Sequence, residues 1–162
     1  MSKIRLSILL LISFFTFSCT NNQINNSNPK YSLAYVGGEY DGLLLKNNIV
    51  SNLQGLNIYN PNSHLEIEAS ISHSSNLYIT NIDNTSDREK ISTELSIQVF
   101  DKKINCKIFE DKMLVSQFYI YAPSDKFLSN QTALKKIKKN NTESVVRQFI
   151  NKLQKANHLC DE

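Results

Sequence analysis

Residues 64–72, HLEIEASIS, alternate without a break: Leu65, Ile67, Ala69 and Ile71 point one way, Glu66, Glu68, Ser70 and Ser72 the other. A period of two marks a strand with one dry and one wet face. The alternation returns at residues 91–100, where Ile91, Thr93, Leu95, Ile97 and Val99 oppose Ser92, Glu94, Ser96, Gln98 and Phe100, and resumes at Ile104, Cys106 and Ile108. Strands apolar on one face need a single covering layer.

Two amphipathic segments supply it. In GLLLKNNIVSNLQGL, Leu45, Ile49 and Leu53 recur every four residues, Glu39 and Asp41 lie before the first turn where the helix dipole favours acids, and Gly55 is placed to close the end. Ser124 and Asp125 follow Pro123 as candidate caps for a second helix over about residues 126–155, with Ala133, Ile137, Val145, Phe149 and Leu153 at multiples of four. Its first half is polar, so only the second half is expected to pack tightly. YSLAYV, closed by Gly37-Gly38, reads as a first strand, and Asp101-Lys102-Lys103 suits a hairpin. DNTSDREK reads as a polar turn, Glu110-Asp111-Lys112 as an interruption before a strand from Met113 to about Tyr121. Whether residues 77–82 continue the HLEIEASIS strand or form another is left open by the pattern. The predicted fold class is α+β: a two-layer sandwich of two helices on one face of a four-stranded, mostly antiparallel sheet, in the order β-α-β-β-β-α.

The N-terminus carries an address. Lys3 and Arg5 precede about a dozen mostly apolar residues to Phe17 and a small residue at Ser18, a secretory layout too short for the roughly 20 residues of a comfortable membrane span. Thr16-Phe17-Ser18-Cys19 resembles a bacterial lipobox, which makes Cys19 the lipidation site. Residues 20–29 are dominated by Asn and carry no apolar pattern beyond Ile24, so nothing offsets their ordering entropy. The division expected is therefore a signal peptide at 1–18, a lipidated Cys19 with a flexible tether at 19–30, and a single domain at 31–162.

Charge and composition narrow the function. The net charge is +3, of which Lys3 and Arg5 account for two, leaving +1 after the leader; this is no polycation, and nucleic acid is not an expected partner. The spacing of Cys106 and Cys160 does not establish a disulfide; a buried thiol at Cys106 and an exposed one at Cys160 is the reading taken. His64 and His73 flank a strand and are read as exposed strand-end residues. There is no HExxH, no paired-cysteine spacing, no GxSxG and no phosphate loop, so no metal site, cofactor or catalytic residue is expected and the chain is not expected to be an enzyme. Glu66 and Glu68 are read as a solvated sheet face. An envelope hydrolase would need a cleft with a perturbed acid or nucleophile, and loss of an activity on replacing either glutamate would mark one. The one charge cluster is Lys135, Lys136, Lys138 and Lys139 in LKKIKKNN: either a solvated helix face or a site for an anionic head group or acidic surface.

A family resemblance rests on three segments. These are LKNNI at 45–49, Arg88 with the alternating strand ending in Asp101, and ALKKIKKNNTESVVRQFINKL at 133–153, with Ala133, Val145, Phe149 and Leu153 in register. With the lipobox and the element order, they resemble the lipopolysaccharide-assembly lipoproteins of the LptE type, in particular the alphaproteobacterial branch. The resemblance implies an outer-membrane lipoprotein, lipid-anchored on the periplasmic side, that plugs and assists the LptD-type β-barrel translocon inserting lipopolysaccharide into the outer leaflet. Lipopolysaccharide would then be the ligand, with Lys46, Arg88 and Lys135, Lys136, Lys138 and Lys139 as candidate anion-binding residues. The alternative is an auxiliary lipoprotein of a lipid-transport ABC system, which would co-purify with an inner-membrane ATPase and no barrel.

Overall fold

The computed structural model describes residues 28–79, 87–120 and 127–156. The signal peptide, Cys19 and the tether up to residue 27 lie outside the described residues, as do the Ser124 and Asp125 caps. Six elements follow in order: β1 (Tyr31–Gly37), α1 (Glu39–Gly55), β2 (Leu65–Ile79), β3 (Asp87–Asp101), β4 (Cys106–Ile120) and α2 (Phe127–Leu153). The sheet order is β1-β2-β3-β4, with β1 parallel to β2 and the remaining pairs antiparallel. A two-layer α+β sandwich results. α1 lies over β1 and β2, α2 over β3 and β4.

The core is the dry face of the alternating strands closed by the two helix stripes. Ile67, Leu95 and Val99 are fully buried, as are Leu45, Ile49 and Leu53 of α1 and Val145, Val146 and Phe149 of α2. The α2 residues buried in this core all fall between 145 and 153, so tight packing belongs to its second half as its polarity pattern predicts. Phe149 meets Phe109 of β4 at a ring separation of 5.9 Å, a tilted pairing that aromatic quadrupoles favour.

Several local expectations are corrected. β2 is one continuous strand to Ile79, and β3 begins at Asp87, inside the segment read as a turn; every residue from Leu65 to Ile79 has a partner on β3. The serines of SHSSN obscure the pattern because both faces are polar there, but a strand needs only its backbone ladder to continue. Glu110-Asp111-Lys112 does not interrupt β4: these residues pair with Gln98, Ile97 and Ser96, and Asp111, turned toward the helices, is neutralised by Lys152 of α2. The hairpin loop is longer than DKK and holds Ile104, which is exposed; Asp101 Oδ1 accepts the Lys103 N–H at 2.8 Å and Asn105 takes a left-handed conformation. Ile108 is the extra residue of the bulge beyond Val99 and turns inward.

Two helix ends also differ. Gly55 stays helical, and Asn57 at φ 56° makes the left-handed turn that ends α1, while the Ile58 N–H reaches back to the Leu53 carbonyl at 2.9 Å. α1 begins directly after Gly38, its N-cap, whose φ of 121° and place against Ile71 suit only glycine. The end of the tether is held: Lys30 donates to the Asn57 carbonyl at 2.6 Å, and its own carbonyl accepts from Ser63. Cys106 is disulfide-bonded, its partner lying outside the described residues, so the free thiol expected there is wrong. Among the described residues no helix is long and apolar enough to cross a membrane.

Candidate functional site

Thr132, Lys135, Lys136 and Lys139 recur at spacings of three and four and so share one face of α2. That face looks toward the start of α1. Together with Lys138, Asp41 and Leu44 these residues line a groove of about 470 Å³. Leu44 and the lysine stems give it aliphatic walls, while the ammonium groups reach the rim. Lys135, Lys136 and Lys139 are exposed and Lys138 half-buried. Only Lys139 has a carboxylate near it on the helix, Glu143 at 4.0 Å, an exposed pair of little energetic consequence.

Asp41, half-buried on the groove wall, adjoins a buried pair on the sheet. Asp41 Oδ2 lies 3.4 Å from His73 Nε2, and His73 Nδ1 is 2.7 Å from Thr93 Oγ1. His73 is not the exposed strand-end residue expected. It sits mid-way along β2 on the helix-facing side, with its side chain 4% exposed. Burial lowers its pKa below the usual 6.5, Asp41 acting against that shift and Lys138 with it. At neutral pH the imidazole is therefore uncharged, and the Asp41 carboxylate faces the lysines. Asp41, His73 and Thr93 superficially line up as acid, base and hydroxyl. Thr93 is completely buried, so no substrate reaches its hydroxyl and the trio is not a nucleophilic array. What the groove can do is hold an anionic group at its lysines and an aliphatic portion along its walls.

The structure thus assembles four of the six basic candidates. Lys46 is exposed on α1 and does not line the groove. Arg88 is exposed at the start of β3, paired with Tyr78 and Ile120 on the helix-free side of the sheet. There Tyr78 and Phe118 stack edge to face at 5.7 Å, and Lys90 stands 5.9 Å from the Phe118 ring centre. The apolar cluster at this end corrects the expectation of a uniformly wet face. Tyr78, Phe118 and Ile120 occupy positions that alternation assigns to solvent, which is the signal that could have found them. Glu66 is paired with Lys102 and Glu68 accepts from Gln98 at 2.8 Å, so both glutamates are tied into the sheet surface. Among the described residues no group of histidine, cysteine and carboxylate side chains could hold a metal.

No family model matches this chain, and no curated protein does at a significant level. Solved structures do. Rare lipoprotein B from Shewanella oneidensis superposes with a TM-score of 0.64 at 10% identity, covering 78% of this chain and 94% of that one. A minor lipoprotein from Acinetobacter baumannii gives 0.60 at 13% identity, over 82% and 96%. Lipoprotein B from Nitrosomonas europaea gives 0.57 at 8% identity, over 75% and 79%. The fold is shared with bacterial lipoproteins. At these identities the likeness extends to architecture, and the basic groove is described on this chain's own residues.

Proposed function

We propose that this chain is an outer-membrane lipoprotein, anchored through Cys19 on the periplasmic side, that plugs and assists a β-barrel translocon delivering lipopolysaccharide to the outer leaflet. The observation that carries the reading is the fold shared with rare lipoprotein B over 78% of this chain and 94% of that one, joined to a leader and lipobox that predict lipidation. The physical fit is consistent. Barrel lumens are polar, and the helix-free face offers Ser70, Ser72, Ser96 and Gln98 to a wet wall, where many modest hydrogen bonds hold a domain without a greasy anchor. The groove of Lys135, Lys136, Lys138 and Lys139 suits the phosphates of lipid A, with acyl carbon against Leu44 and the lysine stems.

The reading predicts that crosslinking in native membranes followed by a pull-down recovers a large outer-membrane barrel, and that depletion of the chain reduces lipopolysaccharide at the cell surface. Recovery of an inner-membrane ATPase without a barrel would transfer the assignment to a lipid-transport ABC auxiliary. Intact surface lipopolysaccharide after depletion would reject it.

A further inference from the structure

Cys106 opens β4 and, like Phe109 after it, packs half-buried against the core under the helices. It is disulfide-bonded, and the sequence holds two other cysteines, Cys19 and Cys160. The course of α2 bears on which of them closes the bond. Asn141 donates to the Ile91 carbonyl at 3.3 Å, and Ile91 pairs with Gln117, so the middle of the helix lies level with the far half of β4. Phe149 then meets Phe109, and Lys152 pairs with Asp111. The helix therefore travels along β4 toward Cys106. It ends at Leu153 in a turn where the Lys155 and Ala156 N–H groups donate to the Lys152 and Leu153 carbonyls. Cys160 follows Ala156 by four residues, a reach of up to about 13–14 Å.

We infer that Cys160 closes the Cys106 disulfide, which divides the three cysteines into a structural pair and one sulfur left for the lipid. Distance alone does not exclude Cys19, because Asn28 and Pro29 at the entry to β1 share a pocket with Leu153 and Gln154 at the exit from α2. Chemistry separates the two. The exclusion of Cys19 rests on the lipobox reading: lipidation turns its Sγ into a thioether, which cannot enter a disulfide. As the Cys106 and Cys160 thiols join, they give up two protons and two electrons to a protein disulfide oxidant of the export compartment, whose own disulfide becomes a pair of thiols. The closed loop contains all of β4 and α2, so the bond restricts in the unfolded chain the two elements that pack against each other in the folded one. The staple also sits at the end of the sheet where the tether enters, which leaves the Tyr78 and Phe118 end without a covalent tie to it.

The test uses the full-length chain, extracted from membranes with every free thiol alkylated and digested with trypsin without reduction. Mass spectrometry is expected to find the peptide INCK, which holds Cys106, joined to ANHLCDE, which holds Cys160, and no alkylated cysteine. Cys106→Ser and Cys160→Ser each expose one alkylatable thiol and lower the Tm by the same amount, and the double variant is no lower, since all three lose a single bond. Cys19→Ser keeps the link between the two peptides. In the wild type, a peptide joining Cys106 to Cys19 overturns the inference and removes the lipid anchor with it. Alkylation of both Cys106 and Cys160 beside a lipidated Cys19 overturns the inference and leaves the anchor standing. The expected link beside an unlipidated Cys19 upholds the pair and rejects the anchor. Mapping the wild type requires no variant to fold.

Discussion

Gly38 and His73 show what single residues decide here. A Cβ on Gly38 would lie 2.6 Å from Ile71 Cγ2 and 2.7 Å from the Ile71 carbonyl, and its φ of 121° is closed to other residues. Gly38→Ala is therefore expected to destabilise by more than about 1 kcal/mol, the scale of glycine replacements where the native backbone excludes a side chain, measured as a shift of the urea midpoint. His73 bears on pH dependence. Its pKa is lowered in the fold, so the unfolded chain binds more protons near pH 6.5 and below. The contribution is absent above the unfolded pKa, and stability falls as pH drops through about 6.5. Asp41 from α1 and Lys138 from α2 are the charges that face it. His73→Asn is expected to narrow the difference in Tm between pH 7.5 and pH 5.5; an unchanged difference would move the cause elsewhere. The sequence hid this residue because its neighbours are serines on both faces, so nothing in the pattern marked which way the imidazole points.

Among the elements, strands of clean alternation were legible and strands of mixed polarity were not. Leu65 to Ile71 and Ile91 to Val99 declare their dry face residue by residue, and the pairing follows them. The extensions to Ile79, back to Asp87 and through Glu110 to Lys112 depend on backbone pairing and on Lys152 answering Asp111 from α2, a contact between residues 41 apart that no local pattern carries. The groove divides the same way: its lysines are visible in LKKIKK, whereas Asp41 and Leu44 arrive from another helix. Cys106 was illegible because spacing does not reveal distance. Its disulfide ties the start of β4 to a segment outside the described residues, and a staple of this kind stabilises by about 2–4 kcal/mol. Reduction, or Cys106→Ala, is expected to lower the unfolding free energy by that amount in denaturant titration. Phe149→Ala at the α2–β4 contact should cost about 3–5 kcal/mol, since the ring is fully buried and leaves a cavity against Phe109.

For the whole molecule, direction matters. The chain enters at β1, whose Tyr31 pairs with Leu65 at one end of the sheet, while Tyr78, Arg88 and Phe118 lie toward the other. At about 3.3 Å per residue, the 15 residues of β2 separate these ends by about 45–50 Å. An acyl anchor at Cys19 on a short coil would hold the entry end near the membrane and direct the aromatic and basic end toward a partner. On the proposed reading orientation would be delegated to a covalent lipid; no described helix is long and apolar enough to cross a membrane. Replacement of Cys19 by serine is expected to abolish metabolic labelling with palmitate and to release the chain from the membrane fraction, with a parallel loss of surface lipopolysaccharide. Converting Lys135, Lys136, Lys138 and Lys139 together to Gln, with the anchor intact, should leave labelling and localisation unchanged. That variant should bind lipopolysaccharide at least about tenfold more weakly, with a flatter dependence on salt, since each lysine near an anionic surface contributes about 1 kcal/mol. The two variants separate reach from recognition: if the lysine variant bound with unaltered affinity and salt slope, the groove would be a solvated helix face, and recognition would pass to Arg88 and Lys90 at the far end of the sheet.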